Sequence, residues 1–306
     1  MIIGLHGILQ RHPWFDRVVE QRHDPEDYES SESSEGSEGS EGSEGSIEED
    51  LLGLAIDRAG SYGWQTLSTW LNESGKVTAH HEPTAWAHEE VGGDWTGDGG
   101  IHQLGWLQAG VLTDTPRPGL PVRPIVQVLS ETLARVGEVT FTGLHALLPL
   151  QAAKRNTAFH QVELAPWFAL ADPDARYEVV VTVSSSPGKL GKPGKPGKPG
   201  RYRHDGMAKE DVEAVRDAVR DMAQEAVDVS VPVAEGGALP GLELDLDRVP
   251  HTQGMREVMR LACRTREWSP DIAVWLVEMV ADGLREAGRS VPSVITVSLA
   301  SPTPKL

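Results

Sequence analysis

The amino-acid sequence predicts an α+β protein of two tandem ferredoxin-like halves, each ordered strand–helix–strand–strand–helix–strand (βαββαβ). Three observations lead there. Segments of period-two and of 3–4 apolar spacing alternate in that order twice along the chain. In each half a low-complexity segment falls between the first strand and the first helix. The junctions from second helix to last strand also look alike: Leu129-Ser-Glu-Thr-Leu-Ala-Arg-Val-Gly comes before Val-Thr-Phe-Thr, and Val280-Ala-Asp-Gly-Leu-Arg-Glu-Ala-Gly before Val-Ile-Thr-Val. The halves are placed at 1–145 and 159–306, joined by a connector at 146–158.

In the first half, residues 2–9 form a short apolar run that reads as a strand. Residues 47–71 read as helix, with Leu51, Leu52, Ala55, Ile56 and Ala59 leading and Leu67, Trp70 and Leu71 continuing the spacing. Asn72 to Gly75 supplies a stop, 76–79 a short strand and 101–111 another, weakened by its glycines. Pro124 opens an amphipathic helix carrying Ile125, Val128, Leu129 and Leu133, closed by Gly137. Residues 138–142 alternate and follow as a strand.

In the second half, 177–184 is a β-branched run and the clearest strand of the chain. Residues 209–226 read as helix, with Val212, Val215, Val219 and Met222 on one stripe and acids in the first turn. Strands are expected at 227–233 and at 242–246, where Leu-Glu-Leu-Asp-Leu alternates. A short helix is expected at 255–265. Ser269-Pro270-Asp271 signals the start of the last helix, which runs to 287 and ends at Gly288. Residues 294–299 close as a strand.

The charge is unevenly placed. The chain of 306 residues has a formal net charge of −18. Residues 24–50 carry 12 acids and no base around a Ser-Glu-Gly repeat, and 188–203, inside the Gly-Lys-Pro insertion at 187–203, carry six bases and no acid. Neither insertion has an apolar face to bury, so both read as solvated, disordered loop expansions. Setting both aside leaves a body of −12. An acidic body opposes nucleic-acid phosphates and anionic membranes alike, so neither is expected as a partner. No apolar run reaches the roughly 18–20 residues of a spanning helix. A lone cysteine, Cys263, makes no internal disulfide, and a cytoplasmic location is the expectation.

Chemistry-bearing patterns are few. Of 11 histidines, His80, His81, His88 and His102 gather between residues 80 and 102, a glycine-rich stretch that reads as a loop with Glu82, Glu89, Glu90, Asp94 and Asp98. Imidazoles and carboxylates at this density suit a divalent metal, zinc first, although no spacing matches a zinc motif. Trp86 and Trp95 in the same stretch are candidates for a binding surface. Leu5-His6-Gly7 resembles a fragment of an oxyanion loop, but no Gly-x-Ser-x-Gly elbow accompanies it. No dinucleotide or phosphate-loop glycine motif is present either. The expected function is therefore a soluble, non-catalytic binding or assembly module with a protein partner or self-association. The alternative is a zinc or haem enzyme built on the 80–102 stretch.

Overall fold

A computed structural model describes residues 1–15, 54–55, 58–59, 68–71, 77–80, 86–111, 120–152, 158–186, 207–232, 242, 244–247, 249 and 251–301. Both charged insertions lie outside these residues, as does most of the helix expected at 47–71. The fold is mixed α+β around one eight-stranded antiparallel sheet. Its strands are β1 (Ile2–Arg11), β4 (Trp86–Gly92), β5 (His102–Val111), β6 (Gly137–Pro149), β7 (Tyr177–Ser185), β8 (Val227–Ser230), β9 (Arg256–Thr265) and β10 (Pro292–Leu299), while β2 (Ser68–Leu71) and β3 (Val77–His80) pair separately. Across the large sheet the order is β4-β5-β1-β6-β10-β7-β9-β8. Read outward from the central β6–β10 pair, both sides run last strand, first strand, third strand, second strand.

Helices α1 (Val122–Val136), α3 (Lys209–Ala223) and α4 (Pro270–Glu286) cover one face of this sheet, and α2 (Ala158–Ala169) packs on α3 and α4. The period of two explains which residues they meet. Leu144, Ala146 and Leu148 of β6, Ile295 and Val297 of β10, Val179, Val181 and Val183 of β7, and Met259, Leu261 and Cys263 of β9 all enter one core with the helices. α4 is buried along most of its length, and its start follows the sequence signal: the Ser269 side chain accepts from the Ile272 N–H and Pro270 stands in the first turn. It ends where Gly288 turns into the left-handed region at φ 79°. Trp275 of α4, fully buried, stacks on Phe168 of α2 at 4.7 Å and donates its indole N–H to the Gln161 carbonyl at 3.2 Å. Phe159, Trp167 and Leu170 stand outward from the α2 segment, more than two-thirds exposed.

Four sequence expectations are corrected. Residues 256–265 form a strand, β9, where a helix was expected. Met, Leu, Ala and Arg favour helix intrinsically, but Met259, Leu261, Cys263 and Thr265 are buried in strict alternation between β7 and β8, and that burial decides. Residues 242–246 are not a strand: Leu242, Leu244 and Leu246 do alternate with Asp245, but the segment makes no ladder and lies across the sheet as a strap. Residues 68–71, expected to end a helix, are β2. Residues 86–92, expected as loop, are β4 at the sheet edge. Helix α2 was not anticipated; its apolar residues show little helical periodicity, and Pro166 interrupts it.

Cys263 is buried facing the helices, and burial, with Asp228 nearby, pushes its thiol up to about 12. The native protein is expected to resist a thiol reagent such as 5,5′-dithiobis(2-nitrobenzoate) and to react with one equivalent only in denaturant. Rapid labelling of the native chain would contradict this placement.

Candidate functional site on the helix-free face

The opposite face of the sheet carries no helix among the described residues. One transverse row crosses seven of its eight strands. Backbone pairing places Gly92, Trp106, Gly4, His145, Thr296, Thr182 and Arg260 side by side on β4, β5, β1, β6, β10, β7 and β9. Two of its glycines are required by large neighbours. A Cβ on Gly4 would lie 2.1 Å from Cε1 of His145, and a Cβ on Gly92 would lie 2.6 Å from the Trp106 indole nitrogen. Each ring therefore occupies the space where a side chain on the adjacent strand would stand.

His145 is 0% exposed and His6, one row away on β1, 6%. The two share a hydrogen bond of 2.8 Å between His6 Nε2 and His145 Nδ1, with ring centroids 5.1 Å apart. Burial lowers both imidazoles, His6 to about 4 and His145 to about 3, and the neighbouring His6 lowers His145 further. Both are thus neutral at physiological pH. His145 Nε2, buried, has no hydrogen-bond partner. On the other side of His145 the Thr182 and Thr296 hydroxyls are hydrogen-bonded to each other.

The strap crosses this face. The Leu242 N–H donates to Ser298 Oγ at 2.7 Å, and Leu244 and Leu246 pack on Ile2, Leu147, Met255 and Val294. Thr296 lies between Ser298 and Val294 on β10, so the strap's contacts flank the row of His145 and Thr296. Its far end is held by the buried Thr252 hydroxyl, which donates to the Leu246 and Val249 carbonyls. Beside it a pocket of about 250 Å³ opens between Ile2, Gln108, Leu147, Pro149, His251 and Pro292.

The histidines singled out in the sequence lie elsewhere. His80 is in β3 and His88 in β4; their side chains, and His81 and Trp86 side chains as well, are outside the described residues. His102 sits between two carboxylates, with Nδ1 2.9 Å from Asp94 and Nε2 2.8 Å from Asp98. The Asp98 hydrogen bond, then both nearby charges, raise His102, and in return His102 holds Asp98 low. Asp94 is held low first by the Thr96 hydroxyl and N–H. With both ring nitrogens engaged, this imidazole is an ion-pair partner. Among the described residues no group of three or more His, Cys, Asp or Glu is arranged to hold a metal ion.

No family model, curated protein or solved structure matches the chain.

Trp95 is a core residue: 7% exposed, it donates its indole N–H to the Leu104 carbonyl at 2.8 Å and meets Phe15 edge-on. Trp95→Phe, which drops the N–H donor and shrinks the buried indole to a phenyl ring, is expected to cost about 2–4 kcal/mol in urea denaturation. An unchanged midpoint would mean that the Leu104 carbonyl finds another donor. His6 and His145 were not recognised as a site from sequence, although Leu5-His6-Gly7 was noticed. The available signal was a histidine at an inward strand position opposite a glycine, and it becomes legible only once β1 and β6 are known to be neighbours.

Proposed function

We propose that the chain is a non-catalytic binding module of two tandem ferredoxin-like units sharing one sheet, with its ligand taken on the helix-free face. The shared strand order of the two sides supports the duplication. So does the register: the alignment that sets Leu129 on Val280 sets His145 on Thr296, its direct neighbour across the β6–β10 joint. Inward from β5 the transverse row then reads Trp106, Gly4, His145 in one half, and inward from β9 it reads Arg260, Thr182, Thr296 in the other.

The observation that carries the binding reading is the buried, uncommitted His145 nitrogen on the helix-free face. A buried polar group without a partner costs about 1–3 kcal/mol, and such groups are few in native proteins, so each calls for an occupant or a role. Neutral, uncharged surroundings suit recognition better than proton transfer near pH 7. A protein partner or a second copy fits the same reading, with Phe159, Trp167 and Leu170 of the α2 segment as the apolar ridge open to it.

Elemental analysis of the purified full chain tests the non-catalytic part. Substoichiometric zinc and iron are expected. One retained equivalent of either would overturn the reading and favour an enzyme using His80, His81, His88 and His102.

A further inference from the structure

Resting on the assembly part of that reading, we infer that the outer face of α2 is where two copies of this chain pair, helix against helix and antiparallel about a two-fold axis.

α2 is apolar on two faces. Gln161, Ala165 and Phe168, each 2% exposed, turn inward. There the Phe168 ring meets Trp275, the Gln161 carbonyl takes the Trp275 indole N–H, and the Gln161 side chain donates to the Glu278 carboxylate at 3.3 Å. The helix is thus pinned to α4, and its outer side is a fixed surface. On that side stand Phe159 and, seven, eight and eleven residues later, Pro166, Trp167 and Leu170. This spacing gathers them within about one third of the helix circumference. Phe159 is 75% exposed, Trp167 69% and Leu170 84%. A helix that is apolar all round belongs in an interior, and large apolar side chains standing together in water mark a contact surface.

Charge selects a second copy, laid antiparallel, as the occupant. The first turn of α2 has no acid and its last turn no base, so its own end turns leave the helix dipole uncompensated. The exposed His160 stands at the positive end, and the exposed Asp172 and Asp174 follow the negative end. Those acids are misplaced with respect to their own helix. Laid against a reversed copy, each α2 brings Asp172 and Asp174 to the other's His160 and open first turn. The same reversal sets Phe159 against Leu170 of the second copy. Parallel pairing would instead set acids on acids. An isologous contact makes every favourable pair twice, and here both ends of both helices are served at once. A lipid surface fits less well, because Glu163, Asp172 and Asp174 would meet its phosphates. From Phe159 to Leu170 the ridge is only about 16 Å long. The contact is therefore smaller than the roughly 800 Å² per partner of a standard interface, and the dimer forms in the micromolar range.

Sedimentation equilibrium of the full chain, from about 1 to about 300 µM at about 0.15 M salt, tests the pairing. The mass is expected to rise with concentration from that of one chain toward that of two and to stop there, since a two-fold contact closes on itself. Trp167→Glu is expected to weaken the dimer about tenfold or more at an unchanged urea midpoint, and Leu170→Glu provides a second variant if the first does not fold. Orientation is read with a short bismaleimide on two single variants, Cys263 being buried. Glu163→Cys, near the middle of the ridge, is expected to cross-link to itself, and Asp174→Cys, beyond its end, is not. Four results would each overturn the inference: a monomer at every concentration; a dimer undiminished in both glutamate variants; Asp174→Cys cross-linking as readily as Glu163→Cys; or a monomer that binds phosphatidylcholine vesicles through Trp167, which would assign the ridge to lipid. Each leaves the non-catalytic reading standing, because that reading falls only to a stoichiometric metal.

Discussion

Gly4→Ala is expected to lower stability by about 3 kcal/mol or more, seen as a large drop in the urea midpoint at unchanged slope. The new methyl would lie 2.1 Å from Cε1 and 2.7 Å from Nδ1 of His145, far inside contact distance. The ring has nowhere to go. It is fully buried, tied by Nδ1 to His6, and flanked along the row by Thr296. Either β1 separates from β6, which breaks a ladder of ten residue pairs, or the imidazole leaves its well and its hydrogen bond. A double-mutant cycle separates this clash from a general intolerance of alanine in β1. His145→Ala removes the ring, so Gly4→Ala in that background is expected to be nearly neutral. A coupling energy near zero would show that the Gly4–His145 contact is not what makes Gly4 necessary.

Some of this architecture was legible in the sequence because local preference and tertiary burial agree there. β7 is a run of β-branched residues buried on the helix side, and α4 has its cap, first-turn proline and terminal glycine in place. β9 was not legible because the two disagree. Met259, Leu261 and Ala262 are helix formers, and only insertion between β7 and β8 makes alternate burial the better arrangement. The strap shows a third situation. Leu244 and Leu246 do pack on the sheet two residues apart, as in a strand, yet they lie on its face and do not extend its edge. Hydrophobic pattern reports which side chains are buried; it carries no information about which backbone groups find ladder partners.

The site was illegible for a different reason. His6 and His145 are separated by 139 residues and meet only because β1 pairs with β6 in one register. A slip of one residue between the two strands would turn one of them to the helix face and part the pair. The dense histidine stretch at 80–102 drew attention because it is local, and its one described imidazole, His102, is occupied by the two carboxylates that made the stretch look metal-binding. Local density of ligand-type residues and convergence of uncommitted atoms are thus separate properties. The second is set by strand pairing, here the β1–β6 and β6–β10 ladders, which bring residues distant in sequence side by side.

The same buried pair is expected to make the protein lose stability on mild acidification. An imidazole in the unfolded chain titrates near 6.5. In the folded protein burial lowers His6 to about 4 and His145 to about 3. Above the unfolded value both states are neutral and neither residue contributes a pH dependence. As pH falls below it, the unfolded chain takes up two protons that the native state refuses, so stability falls with pH until the folded values are reached. Two such groups give a slope of about 2.7 kcal/mol per pH unit, or roughly 4 kcal/mol lost between pH 7.5 and pH 5. Other groups act in the same range. His102, raised by its carboxylates, favours the native state at low pH, and Glu278, whose carboxyl burial raises despite Arg123 beside it, does likewise. The measurement is therefore a difference: urea denaturation of wild type and of His6→Gln/His145→Gln from pH 8 to pH 4.5. The double variant keeps hydrogen-bonding side chains but has nothing to titrate at either position, so its stability is expected to fall less steeply below pH 6.5, with the gap between the two proteins closing or reversing as acid is added. Parallel curves would mean that the native state accepts protons at this pair as readily as the unfolded chain does. The pair would then be open to water, and the dry, strap-covered face on which the ligand site depends would not exist in solution.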